Sequence, residues 1–204
     1  MGKFLEFVFN RFFLGMIVTA FFWLFTLAGG VVFGLAPASA TLMSLYAEHG
    51  YTYRAYSLKE AWELYKSNFV KSNLAFYSFV FVDLVLVYGL YLLVQLPHQT
   101  IFHLLATFLN VLVMALVFLA YTVSLKLQVY FDLSYQNTVK LSLIGIFMSL
   151  PAIAKVLIGT GLLVGVGYYM PALLFFVGIG VWHFFISDML EPIYESIHEK
   201  LATK

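Results

Sequence analysis

The sequence predicts an all-α, polytopic helical membrane protein, and three observations carry that reading. Hydrophobic residues make up 63% of the 204 and charged residues only 10%, against about 25% charge in soluble domains. Mean hydropathy is +0.94. The apolar residues also fall into runs of about twenty, the length at which a helix crosses a hydrocarbon core of about 30 Å. These runs are Phe12 to Ala28, Leu74 to Leu96, Ile101 to Leu125, Ala152 to Tyr169 and Ala172 to Met189. The expected fold is therefore five spans plus a broken or re-entrant segment near residues 29–48 and two interfacial amphipathic helices, in a single membrane domain over 1–204.

Within that domain, 1–50 holds the N-terminal span and the broken return segment. Residues 57–125 and 134–189 each hold an amphipathic helix plus a hairpin, and 190–204 form a cytoplasmic tail. The two middle parts share a plan without residue identity, as parallel repeats in transport-related folds do.

Eleven Lys and Arg stand against ten Asp and Glu, so the concentrated basic surface that a nucleic-acid partner needs is missing. There is no cysteine, which excludes disulfides, thiolate metal sites and cysteine nucleophiles. No His-x-x-x-His, acid pair at catalytic spacing or nucleophile elbow occurs. No enzyme, metal or cofactor is expected.

The first 40 residues imitate an export signal, with Lys3 and Arg11 ahead of an apolar stretch and Ala38-Ser39-Ala40 as a small-residue cleavage pattern. Length argues against it, because Phe12 to Leu35 is far longer than a signal core of about 7 to 15 residues. The stretch GGVVFGLAPASATLMSLY at 29–46 then has two readings. In one, Gly29-Gly30 turns the chain, Val31 to Ala36 descends extended, and Pro37 opens a short helix at its first position, running to Gly50. Such a helix is too short to span, must be buried in protein, and would present the free amides of Ala38, Ser39 and Ala40. In the other, a kinked and tilted first span ends at Pro37 and continues as surface loop.

Lys and Arg concentrate in the longer connections: Arg54, Lys59, Lys66 and Lys71 in one, Lys126 and Lys140 in another, with Lys200 and Lys204 on the tail. The positive-inside bias places these in the cytoplasm and the turns at 97–100 and 170–171 outside. A second crossing near the N-terminus brings Lys3 and Arg11 to the same side.

Ser57 to Asn73 reads as an amphipathic helix. Ser57-Leu58-Lys59-Glu60 has the form of a capping box, and Leu58, Trp62, Tyr65 and Phe69 make one apolar stripe. The stretch from Ser134 to Tyr169, some 36 residues or about 54 Å as a single helix, exceeds any bilayer. Pro151 divides it, leaving Ser134 to Leu150 at the interface and Lys155 to snorkel from the start of the next span.

Asp83 lies deep in the second span, where an ionised carboxylate costs about 2.5 to 3.5 kcal/mol. Asn110, at comparable depth across the hairpin, is its expected contact. Asp83 is then either part of a solute path or a protonated acid cementing one hairpin. His183 and Asp188 are five residues apart, off a common helical face, and do not suit a metal pair. Gly161 and Gly165 read as a close helix-packing face.

A longer pattern runs through these elements: Phe-Phe-Trp-Leu at 21–24, Gly34-Leu-Ala-Pro-Ala-Ser-Ala-Thr-Leu42, Ala-Trp-Glu-Leu-Tyr-Lys-Ser-Asn-Phe at 61–69, Tyr-Phe-Asp-Leu at 130–133 and Ser-Leu-Pro at 149–151. It resembles the YesL-like family of small bacterial integral membrane proteins, a domain of unknown function, over nearly the whole chain. The most specific piece is Gly34 to Leu42, which departs from the family's Gly-Pro-Ala-Thr-Ala-Leu type by the inserted Leu35-Ala36 and by Ser39.

Genes of that family often accompany those of sugar-importing ABC transporters, so the resemblance implies a multi-pass protein of the bacterial inner or plasma membrane that serves as an accessory subunit of an ABC-type carbohydrate importer. The implied partners are the lipid bilayer, ABC permease or ATPase subunits, and a sugar or oligosaccharide solute. The rival readings are a stand-alone small-solute carrier or channel and a membrane scaffold for envelope assembly. The binding or docking candidates are Gly34, Pro37, Ser39, Thr41, Trp62, Lys66, Asp83, Asn110 and Asp132.

Overall fold

The computed structural model describes the backbone of residues 2–96, 100–131 and 133–202, and the side chains of those among them from 9 to 200. Every regular element among the described residues is helical: α1 (Gly2–Ala28), α2 (Leu35–His49), α3 (Leu58–Val94), α4 (Ile101–Tyr130), α5 (Tyr135–Met148) and α6 (Leu150–Tyr169). A broken hairpin arm follows, made of α7 (Pro171–Leu173), a π turn (Leu174–Gly178) and α8 (Ile179–Met189), and the chain continues into α9 (Glu191–Ala202). Among the described residues, five helices are long and apolar enough to cross a membrane: Phe9–Ala28, Leu58–Val94, Ile101–Tyr130, Leu150–Tyr169 and Pro171–Met189.

The break after the first span is real, but its geometry differs from the extended descent expected of Val31 to Ala36. Gly30 and Val31 both take the left-handed conformation, with φ of 69° and 65°. The Val31 amide donates back to the Thr26 carbonyl and the Gly30 amide to Leu27, which closes α1 with the paired bonds of a Schellman cap. The chain reverses at once. Gly34 then caps α2, which starts at Leu35, so Pro37 stands third in the helix and not first. A continuous kinked helix through this region is ruled out by the same bonds.

α2 is buried along nearly its whole length, from Ala36 to Tyr46. Its residues divide between two apolar cores. Ala38, Leu42, Leu45 and Tyr46 pack with Leu14, Val18 and Phe25 of α1 and with Ala61 and Tyr65 of α3. Ala40 and Met43 pack into the other core, with residues of α4, α5, α6, α8 and α9. The small side chains of Ala36, Ala38 and Ala40 allow helices to approach from both sides, as membrane interfaces favour.

The first expected amphipathic helix, Ser57 to Asn73, is not a separate element. No breaker separates Asn73 from Leu74, and the helix runs on as the 37-residue α3. Its first half lies antiparallel along α2, with His49 Nε2 2.7 Å from Glu60 Oε1, Asn68 donating to Ser44 Oγ, and Asn73 donating to the Phe33 carbonyl. Ser57 is the N-cap residue without a side-chain cap bond, whereas Thr100 and His103 form a capping box on α4. The second amphipathic helix, α5, is separate, and the break falls at Ser149, just before Leu150-Pro151.

Beyond Tyr77 and Ser78, which bond to the Val32 carbonyl and to Tyr135 of α5, the outer parts of α3 and α4 pack chiefly on each other. Val85, Tyr88 and Tyr91 on one, and Leu105 and Phe108 on the other, are exposed, so the pair extends from the bundle as an apolar arm. In the second hairpin the glycines expected to pack, Gly161 and Gly165, face open space. Gly159 and Gly167 lie against Phe185 and Leu174 instead.

Candidate functional site

Gly34, Pro37, Ser39 and Thr41 come together at the start of α2. Gly34 sits where α1 and α2 touch: a Cβ there would stand 2.3 Å from the Thr26 carbonyl oxygen. Pro37 has no N–H to satisfy, and the Leu35 and Ala38 amides bond to the carbonyls of Val31 and Gly34. The free amides expected at Ala38, Ser39 and Ala40 are therefore not there, because the helix begins two residues earlier than that reading required. Thr41 Oγ1 donates to the Pro37 carbonyl of its own helix at 2.7 Å, so its hydroxyl is spent locally. The Ser39 side chain meets the Tyr121 hydroxyl of α4.

Trp62 is partly exposed and stacks on Tyr65, which in turn stacks on Phe25 of α1. Lys66 is on the exposed side of α3. Asp132 lies outside the described residues.

Asp83 and Asn110 are far from this cluster, on the arm, and the bond expected between them does not form. Each has an enclosed Oδ1 without a hydrogen-bond partner. The register of the hairpin places the Asn110 amide 3.2 Å from where a Gly89 Cβ would stand, and Gly89 is six residues beyond Asp83, about 9 Å along the helix.

A polar network that the sequence did not announce closes the opposite end of α2. Asp188 at the end of α8 accepts hydrogen bonds from Tyr46 (2.5 Å) and Tyr51 (2.8 Å). The Arg11 guanidinium of α1 lies 3.7 Å over the Tyr51 ring, a cation–π contact. Burial raises the pKa of Tyr51 above the ordinary tyrosine value; its bond with Tyr46 acts in the opposite direction and its bond to Asp188 raises it further. Tyr51 therefore remains a proton donor to the carboxylate.

Beside it, Lys126 is 1% exposed. Its Nζ donates to the Ser187 carbonyl and to Glu191 Oε2, both at 2.5 Å, and lies 4.9 and 5.6 Å from the Tyr130 and Tyr194 ring centres. Lys126 is thus part of α4 and not of a charged loop. The one signal for it was a lone lysine at the end of an apolar run whose helical pattern continues to Tyr130.

The π turn has its own supports on α1. Trp23 Nε1 donates to the Phe175 carbonyl and the Gly180 amide donates to Thr19 Oγ1, each at 2.9 Å. Widening a helix turn shifts the backbone ladder and leaves groups over, and in a membrane those groups must find partners within the protein.

Besides packing and hydrogen bonds, Glu48, His49 and Glu60 bring side-chain ligand atoms within 4.8 Å of one another, a group that could hold a metal ion. Residues 16–90, from the middle of α1 through most of α3, match the family model described as "Protein of unknown function, DUF624". No curated protein and no solved structure matches the chain.

Proposed function

We propose that this multi-pass protein is an accessory membrane subunit that joins a partner through the α3–α4 arm, the partner being an ABC-type carbohydrate importer. The observation that carries the reading is the arm itself. Its outer residues are exposed on both helices, and it holds two enclosed carboxamide and carboxyl oxygens, on Asp83 and Asn110, without partners. Polar side chains in a membrane hairpin favour a further helix that can complete their hydrogen bonds. The choice of importer rests on the YesL-like resemblance. The centre of the bundle, where a carrier would need a path, is occupied by α2, whose Leu42, Met43 and Leu45 are fully buried.

Purification of the chain from its native membrane in mild detergent tests this directly. The expected result is co-elution of a carbohydrate permease subunit, lost in the Asp83→Leu, Asn110→Leu double variant while the chain itself stays folded. Elution alone, with sugar uptake unchanged when the protein is absent, would overturn the proposal. The carrier reading has Asp83 as its observation, and uptake into vesicles containing only this protein, abolished by Asp83→Asn, would favour it.

A further inference from the structure

We propose that a divalent metal ion of the zinc class binds where α2 ends and α3 begins, on Glu48, His49 and Glu60. Each side chain brings one ligand atom, and the three atoms lie within 4.8 Å of one another. The group joins two helices: Glu48 and His49 stand in the last turn of α2, and Glu60 in the first turn of α3. The sequence did not announce it, because Glu60 follows His49 by 11 residues, across a loop and not on one helix face.

The donor types point to the ion. An imidazole nitrogen with two carboxylates suits zinc, and manganese less well, whereas magnesium and calcium prefer oxygen alone. The imidazole separates the group from an ordinary acidic patch. Two carboxylates and a neutral ring carry two negative charges, which a divalent ion balances. The helix ends act in the same direction: the start of α3 favours Glu60 as an anion, and the C-terminal end of α2 favours a cation beside it.

Binding needs only a small adjustment. His49 Nε2 and Glu60 Oε1 are 2.7 Å apart and share a proton. Around a tetrahedral zinc with bonds of about 2.0 to 2.1 Å, two ligand atoms stand about 3.3 Å apart, so the ion replaces that proton with a shift of about 0.6 Å. The side chains of His49 and Glu60 are 19% and 28% exposed, and Glu48 is exposed, so an ion reaches all three from water, which supplies the fourth position. The Tyr56 ring is centred 5.7 Å from the His49 ring, and its hydroxyl donates to the Gly50 carbonyl at 2.6 Å. A bound ion thus fastens both ends of the loop whose Tyr51 reaches Asp188.

The test uses the full chain in detergent, freed of metal with a chelator and titrated with zinc, manganese or magnesium chloride while bound metal and thermal unfolding are followed. One equivalent of zinc should bind and raise the melting temperature, manganese should bind more weakly, and magnesium at the same concentration should leave the transition where it is. His49→Gln should weaken zinc binding by about tenfold or more, since losing even an outer partner of a metal ligand costs about 10- to 100-fold. Glu48→Gln, at an exposed position and of the same size, should weaken it comparably while the metal-free melting temperature stays unchanged, which separates lost ligation from lost folding. Equal zinc affinity in the native chain and both variants would overturn the proposal, because the ion would then sit on other histidines. An equal response to zinc and magnesium would overturn it as well, because that is the behaviour of a plain acidic surface.

Discussion

A methyl group at position 34 would meet backbone, not a yielding side chain: the Thr26 carbonyl oxygen at 2.3 Å and its Cα at 2.7 Å. Gly34→Ala should therefore force α1 and α2 apart and cost about 1 to 3 kcal/mol, the range of overpacking substitutions. Gly161→Ala, which meets nothing within 4 Å, should be neutral or slightly stabilising, and thermal unfolding of the two variants side by side checks the contrast. The difference between them was not legible in the sequence. Spacing says that two glycines share a helix face, but only the neighbours decide which face of α6 is turned inward, and they chose Gly159 and Gly167. Lys126 makes the same point for charge. Glu191→Ala leaves its ammonium enclosed with the Ser187 carbonyl and two tyrosine rings, and should destabilise by about 2 kcal/mol, below the range for fully buried pairs because Glu191 is half exposed. Adding Lys126→Met to that variant should recover part of the loss, since it removes the stranded charge; failure to recover any would show that the lysine is stable alone.

At the scale of the element, α2 has to fit between two cores at once. Ala38 is fully buried on the side of α1 and α3, so Ala38→Leu should prevent assembly of the bundle, seen as aggregation in size-exclusion chromatography. Thr41→Val keeps shape and loses one bond to the Pro37 carbonyl of its own helix, and should cost no more than about 1 kcal/mol. That a short buried helix follows a break was readable from Gly29-Gly30 and Pro37. Its starting residue was not, because proline is compatible with any position in the first turn, and a left-handed Val31 has no sequence signature. The continuity of α3 was also hidden: the change from an amphipathic to a wholly apolar pattern at Asn73 looks like a boundary, yet helix propensity does not change there.

For the whole molecule, the succession of helices was legible because each span is long and apolar, while the network at the base of the bundle was not. Its members, Arg11, Tyr46, Tyr51, Lys126, Asp188 and Glu191, come from separate segments, and nothing local marks any of them as a partner of the others. Arg11, early in α1, lies over the Tyr51 ring, and Trp23, late in α1, bonds to the Phe175 carbonyl, so the chain puts Gly50 at one end of the bundle and Met170 at the other; the side of Asn137 is assigned from the positive charge beside it at Lys140. Single cysteines at Gly50 and Asn137 should be labelled from one side of the membrane and a cysteine at Met170 from the opposite side, with the Lys and Arg distribution predicting that the first side is the cytoplasm. Labelling of Gly50 and Met170 from the same side would rule out this threading.

The π turn sets the angular phase of everything after it. Each residue advances a helix by about 100°, and a widened turn of this kind acts as a one-residue insertion. Tightening Leu174 to Gly178 into ordinary α-helix with no residue removed would rotate the remainder of α8 by about that angle, whereas deleting one residue of the turn, Phe176 for example, would leave it in phase. That rotation would carry His183 away from the Phe22 ring and Asp188 away from Tyr46 and Tyr51 in the same motion. The five residues from Leu174 to Gly178 thus work as a mechanical indexing device that aligns two separate contacts of α8 with a single adjustment.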